Sequence, residues 1–153
     1  MMKKIFIASD HAGFDLKQKF LQDNPQLPWE DLGTYDTQSV DYPDYAKKLC
    51  EKLISITGSL PTTEDAFKAG TCGVLICGSG QGMAIRANKF PQIRAALCWN
   101  EDVARLSRQH NNANVLCLGA RAVDAGTAQK ILSTFLESSF EGGRHSQRVA
   151  KLC

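Results

Sequence analysis

A chain of 153 residues, 43% hydrophobic and 22% charged, has the length and composition of one ordinary globular domain with its own core. A formal net charge of +2 is too small to bind nucleic acid by bulk electrostatics, and no uninterrupted apolar run is long enough to span a membrane. The start, Met1 to Ile7, is basic then apolar like a signal peptide, but its apolar part is short and soon meets Asp10 and His11. It reads as the first strand of a cytoplasmic protein.

Ile5 to Ala8 is that strand, and Ser9 to Gly13 turns into a helix predicted over about 14–22. Asn24-Pro25 and Leu27-Pro28 break it, and a short second strand is expected over 29–33. After a polar loop, Tyr42-Pro43-Asp44 opens a helix, with Pro43 suited to its first turn. Tyr45, Ala46, Leu49, Leu53 and Ile56 share one face of it. Residues 57–70 read as a connection with room for one helical turn. The third strand, 73–77, leads into a glycine-rich loop and a helix to about 88, and a fourth strand is expected over 93–98. Asn100 is placed to cap a helix to about 109, with Glu101 and Asp102 in its first turn. The fifth strand is 114–118, Asp124 caps a helix to about 136, and a last helix is expected over 145–152 after Gly142-Gly143. Five strands alternating with helices specify an α/β fold: a single domain, three-layer and Rossmann-like, with a five-stranded parallel sheet flanked by helices.

In such a sheet, ligands bind outside the carboxyl ends of the strands. The stretch Val74-Leu75-Ile76-Cys77-Gly78-Ser79-Gly80-Gln81-Gly82-Met83 puts three glycines and a thiol there. Glycine lets backbone N–H groups approach a ligand and form an anion-binding concavity. Of the six cysteines, Cys50, Cys72, Cys98 and Cys117 read as reduced, buried thiols, because no Cys-x-x-Cys pair or zinc-ligand spacing occurs. Cys77 differs because of the loop after it. A thiol at the start of a helix ionises more readily and can act as nucleophile or base. His110-Asn111 would partner it in acyl transfer. Proton abstraction beside a carbonyl fits equally, with the loop stabilising the developing oxyanion. Asp10, His11, Ser79, His110, Asn111 and Arg121 are all expected at the same edge as Cys77.

Arg144 and Arg148 share a helix face near a helix start, where the dipole disfavours cations. An anion held between them would resolve that conflict, and a solvated basic face is the alternative. The glycine loop itself is not a dinucleotide fingerprint. Met83 and Ile85 fall where the two possible frames need a glycine or alanine, and no Gly-Lys-Ser/Thr follows.

Several motifs run in order along almost the whole chain: Ser9-Asp10-His11-Ala12-Gly13-Phe14, Asp41-Tyr42-Pro43, the glycine loop, Ala87-Asn88-Lys89, Ile93-Arg94-Ala95, Leu106-Ser107-Arg108-Gln109-His110-Asn111, Asn114-Val115-Leu116 and Glu141 to Val149. In these the chain resembles ribose-5-phosphate isomerase type B, of the family that also holds the galactose-6-phosphate isomerase subunits. The resemblance implies an aldose–ketose isomerase that interconverts ribose 5-phosphate and ribulose 5-phosphate through an enediolate, in the non-oxidative pentose phosphate pathway. Cys77 matches the base that moves a proton between C1 and C2. Ser79 with Gly78, Gly80, Gln81 and Gly82 matches the enediolate hole. His110 matches the group that opens the furanose, and Asp10 and Tyr42 lie near the sugar. His11, Arg121, Arg144 and Arg148 match phosphate contacts, and Asn111 a sugar-hydroxyl contact. The family uses no metal or organic cofactor. It forms homodimers, sometimes paired into tetramers, with the active site across the subunit interface.

Two departures stand out. Ser79 replaces a common threonine but keeps the hydroxyl, and the 57–70 stretch is longer than the family's usual connection. One chain carries Cys77, His110 and the arginines together, which favours the self-sufficient ribose-type enzyme. The alternatives are an isomerase of allose 6-phosphate or galactose 6-phosphate, or a non-catalytic sugar-phosphate-binding module.

Overall fold

Strand periodicity decides the architecture. Along β1 (Lys4–Ser9), β3 (Thr71–Cys77) and β5 (Val115–Gly119), alternate side chains feed two separate apolar layers. Ile5, Ile7, Val74, Ile76, Leu116 and Leu118 point to one face. There they meet α1 (Phe14–Asp23), α4 (Glu101–Gln109) and α5 (Ala125–Glu137) through residues such as Phe20, Ala104, Ile131 and Phe135. Phe6, Ala8, Leu75, Cys77, Val115 and Cys117 point to the other face, against α2 (Tyr42–Thr57) and α3 (Gln81–Ala87). These central strands are buried on both sides, which is why they read as nearly continuous apolar runs.

The computed structural model describes residues 1–59 and 64–152. With β2 (Trp29–Asp31) and β4 (Ala95–Leu97) at the edges, five parallel strands lie in the order β2-β1-β3-β5-β4. This is the predicted α/β fold. The predicted caps are present: Asn100 and Asp124 accept the N–H groups of Val103 and Thr127, each at 2.8 Å, bonds worth about 1 kcal/mol apiece. The last helix, α6, is shorter than expected, Arg144–Val149. Beyond it Lys151 and Leu152 donate to carbonyls three residues back, so the chain tightens out of α-helix. The fourth strand is also shorter than 93–98. The Ile93 N–H is taken by the Phe90 carbonyl and the Arg94 N–H by Asn114 Oδ1, which leaves neither to the sheet ladder.

The long connection before β3 carries a 3₁₀ turn, Ala66–Ala69, and its Pro61-Thr62-Thr63 portion lies outside the described residues. Its end is not a loose loop. Asp65 pairs with Arg108, a fully buried arginine in the last turn of α4. The Asp65 carboxylate also accepts the N–H groups of Phe67 and Phe140, each at 2.8 Å. The Arg108 guanidinium lies 3.5 Å from the centre of the Phe67 ring and donates to the carbonyls of Ala113 and Ser138. An arginine can be buried in this way because most of its fork is hydrogen-bonded.

Burial alone would push the Asp65 carboxyl up, but the Phe140 and Phe67 N–H groups and Arg108 outweigh it and hold it below the usual carboxylate range. The folded pKa therefore lies below the unfolded one. The stability this group contributes is complete above about pH 4 and is lost as pH falls through the lower, folded value. Urea midpoints are expected to hold level near neutrality and to fall below about pH 4. In the Asp65→Asn protein the midpoint should be lower at neutral pH and its acid-dependent fall smaller.

Candidate active site

The connection after β1 leads to α1 on one face of the sheet and the connection after β3 to α3 on the other, which makes a topological switch point between these neighbouring strands. A cleft of about 560 Å³ opens there, lined by Asp10, Tyr42, Cys77, Gly78, Ser79, Gly82, Arg121 and Ala122. Ser9 pairs with Ile76 in the register, so Asp10 and Cys77 leave neighbouring strands at one level. The Asp10 carboxylate is buried and accepts the Gly13 N–H at 3.0 Å, which fixes it at the head of α1.

The glycine loop is pressed against the end of β5. Ala120 N–H donates to the Cys77 carbonyl at 2.8 Å and Arg121 N–H to the Gly78 carbonyl at 2.9 Å. Gly80 adopts φ 77°, and a Cβ there would meet Leu97 at 2.5 Å and the Leu118 backbone at 2.9 Å. Both the turn and the close approach therefore require glycine. The Tyr42 ring lies on Gly82, where a Cβ would fall 2.3 Å from it. Arg121 extends past Gly78, with Nη1 3.0 Å from where a Cβ would stand.

Within this frame Cys77 is 4% exposed, and its Sγ accepts the Gly80 N–H at 3.2 Å. Gln81 N–H is turned onto Ser79 Oγ at 3.3 Å. Two of the loop's donors thus serve the loop itself, whereas the N–H groups of Gly78 and Ser79 have no partner among the described residues. The other described thiols are poor reagents. Burial pushes Cys50, Cys72 and Cys98 up to about 12, and Cys117 is also raised well above an ordinary thiol. His11, next to Asp10, accepts the Val40 N–H on Nδ1 at 3.2 Å, an arrangement that leaves Nε2 to carry the ring proton.

The remaining predicted residues do not join this cleft within one chain. His110 and Asn111 were expected at the same edge as Cys77, and the structure corrects this. They precede β5, and in a parallel sheet the start of a strand lies at the opposite edge from its end. Asn114, at the foot of β5, accepts the Gly73 N–H at 3.0 Å. Gly73 is four residues before Cys77, about 13 Å at about 3.3 Å per residue.

Arg144 and Arg148 are exposed on α6 at this far edge. The His110 and His145 rings stack with centres 4.2 Å apart and planes 12° from parallel. Glu141 reaches both, at 3.8 Å from His110 Nε2 and 3.5 Å from His145 Nε2. Burial pulls the His145 pKa down, and His110, Arg144 and Arg148 act in the same direction against Glu141. Donor atoms of His110, Glu141 and His145 all lie within 4.8 Å of one another, a spacing compatible with a metal ion. The ring geometry argues against one shared ion: imidazole lone pairs lie in the ring planes, and in two nearly parallel stacked rings they do not converge on one point. Sequence reasoning assigned no role to Glu141 or His145. Their signal was the four-residue spacing, partly hidden because Glu141 lies before the helix begins.

A family model described as Ribose/Galactose Isomerase matches residues 5–152. A Rickettsia bellii protein named "Putative sugar phosphate isomerase" is 46% identical over 151 residues, covering 97% of this chain and 96% of its own. Among solved structures, a ribose 5-phosphate isomerase from Thermotoga maritima superposes with a TM-score of 0.85 at 46% identity, covering 97% of this chain and 96% of that one. The Mycoplasma genitalium ribose-5-phosphate isomerase B, solved with ribulose-5-phosphate bound, gives 0.86 at 40% identity, covering 99% and 95%.

The contrast among the thiols yields a direct test. Iodoacetamide is expected to modify Cys77 ahead of Cys50, Cys72, Cys98 and Cys117 in the folded protein. Peptide mapping should show activity falling in step with modification of Cys77 alone.

Proposed function

The chain belongs to the ribose/galactose isomerase family and is a sugar phosphate isomerase, and on that basis we propose that it interconverts ribose 5-phosphate and ribulose 5-phosphate, the isomerisation step of non-oxidative pentose phosphate metabolism. The observation that carries this reading is the Cys77 thiol at the switch-point cleft, beside a glycine loop whose Gly78 and Ser79 N–H groups have no partner among the described residues. The ribulose-5-phosphate bound by the Mycoplasma genitalium relative supports a phosphorylated pentose as the ligand.

In the proposed reaction the Cys77 thiolate takes the proton from C2 of the open-chain aldose. The C–H electrons form the C1–C2 double bond, and negative charge moves onto O1. The Gly78 and Ser79 N–H groups and the Ser79 hydroxyl meet that charge, which is the kind of donor whose loss costs about 10²–10³ in rate. The proton returns from Cys77 to C1 while the O2 hydroxyl proton passes to O1, leaving a hydroxyl at C1 and the ketone at C2. Asp10 and Tyr42 flank the sugar. Before this step His110 donates a proton to the ring oxygen as the C1–O4 bond breaks and the anomeric hydroxyl gives up its own proton to water, which opens the furanose, with Asn111 on a sugar hydroxyl. His11, Arg121, Arg144 and Arg148 hold the phosphate.

This assignment needs two copies of the chain. Cys77 and Arg121 lie at one edge of the sheet and His110, Asn111, Arg144 and Arg148 at the other, so a homodimer would build each site from the cleft of one subunit and the far edge of its partner. In this proposal the protein uses neither metal nor organic cofactor.

Cys77→Ala should lower kcat for ribose 5-phosphate by about 10²–10⁴-fold without unfolding the protein. Near-normal turnover would remove the base, and kcat/KM higher for allose 6-phosphate or galactose 6-phosphate would reassign the substrate. The shared site is tested by mixing subunits. Cys77→Ala and the double variant Arg144→Ala/Arg148→Ala should each be nearly inactive below KM. Reassembled one to one, they should recover about a quarter of wild-type activity, because half the dimers are mixed and each mixed dimer has one intact site. No recovery in proven mixed dimers would place the whole site within one subunit.

A further inference from the structure

The 57–70 connection is longer than the resemblance accounts for, and its described end is bound to the turn that carries His110. The two buried side chains that flank His110 in sequence, Arg108 and Asn112, both attach to it. Arg108 pairs with Asp65. Asn112 sits at φ 51°, its Oδ1 accepts the Ala66 N–H at 2.8 Å, and its Nδ2 donates to the Glu64 carbonyl at 2.7 Å. Arg108 Nη1 also donates to Asn112 Oδ1 at 3.3 Å, so the two anchors are joined.

The same carboxylate reaches the other half of the cluster. Asp65 Oδ2 accepts the N–H of Phe140, the residue before Glu141. The Glu141 N–H in turn donates to the Gln109 carbonyl at 3.0 Å, and its side chain faces both stacked imidazoles. One carboxylate thus fixes the two backbone segments whose spacing sets how Glu141 meets His110 and His145.

We propose that Asp65 is a positioning residue for the ring-opening half of the site: through Arg108 and the Phe140 N–H it holds His110, Glu141 and His145 in their stacked arrangement. Asp65 touches no substrate. It acts on the furanose-opening step through His110 and leaves proton transfer at Cys77 alone, because Cys77 lies at the other edge of the sheet. The inference rests on the roles proposed above for His110 and Cys77.

The two steps can be read separately. Ribose 5-phosphate enters mainly as a ring and must be opened. Ribulose 5-phosphate cannot close a furanose through its phosphorylated C5 oxygen, so its C1 proton can exchange with solvent by the action of Cys77 alone. Asp65→Asn should lower kcat/KM for ribose 5-phosphate by about 10–100-fold, the scale of a misplaced catalytic group. Deuterium exchange from D2O into C1 of saturating ribulose 5-phosphate, followed by NMR, should stay within about threefold of wild type by the same argument. Asp65→Glu keeps the charge opposite Arg108 and covers the case in which the asparagine variant does not fold. It should show the same split with a smaller amplitude.

An equal loss of turnover and exchange in a folded variant would overturn the proposal, as would wild-type values for both. Cys77→Ala, run alongside, should abolish the exchange. Exchange persisting in that variant would count against the base assignment, and so would be told apart from a failure of the positioning role.

Discussion

The direction of the strands is the constraint on which the site depends. In a parallel sheet every strand ends at one edge and begins at the other, and a right-handed crossover returns the chain to its starting side each time. A residue just after a strand and a residue just before one are therefore held a sheet's width apart, however near they stand in sequence. Arg121 follows β5 and reaches the thiol cleft, whereas His110 precedes β5 and faces away. Only the short span of Val115–Gly119 separates these two surroundings. The proposed pairing of subunits answers that constraint, because an edge from one copy can meet the opposite edge of another without bending the sheet.

Close approach then sets the composition of the cleft. The loop after Cys77 lies so near β5 that a Cβ on Gly119 would fall 2.6 Å from the Ser79 backbone. Glycines on both sides of the contact let two backbones touch, and the carbonyls of Cys77 and Gly78 are tied down by Ala120 and Arg121. A loop fixed in this way keeps the Gly78 and Ser79 N–H groups still while charge develops, the condition under which hydrogen-bond donors stabilise an oxyanion best. The thiol gains its setting from the same fixation, since the Gly80 N–H reaches Sγ only because Gly80 turns at positive φ.

The legible parts of the sequence were those whose physics is local. Asn100 and Asp124 announce helix starts because a cap needs only the next three residues. The central strands are legible because burial on both faces leaves unbroken apolar runs, and the glycine loop because few turns demand that spacing. The misplaced residues were His110 and Asn111: their chemistry was visible, but which edge they occupy depends on whether their turn enters or leaves a strand. The Asp65–Arg108 pair could not be read at all. Its partners are 43 residues apart, Asp65 lies in a polar connection, and an arginine on a polar helix ordinarily belongs in solvent. Lys17 gave no signal either. It is fully buried, with Nζ 2.6 Å from both Asp31 Oδ1 and the Thr34 carbonyl, and burial pulls its pKa down against the pull of Asp31.

Buried charge of this kind needs a reason, because a well-packed apolar replacement is often as stable, whereas breaking one partner of such a pair costs about 3–5 kcal/mol. Apolar contact alone would let the 64–70 segment slide over α4. The guanidinium fork of Arg108 and the two oxygens of Asp65 permit one registry only, since most of the donors and both acceptors have a designated partner in each other or in Asn112, Ala113, Ser138, Phe67 or Phe140. The stacked histidines sit on the segments so fixed. They have no rigid strand beneath them comparable to the one under Cys77: His110 terminates a helix and Glu141 lies in an irregular stretch. A half-site built on helix ends and loops needs its geometry imposed from outside, and a directional polar clamp supplies what a hydrophobic contact of the same area could not.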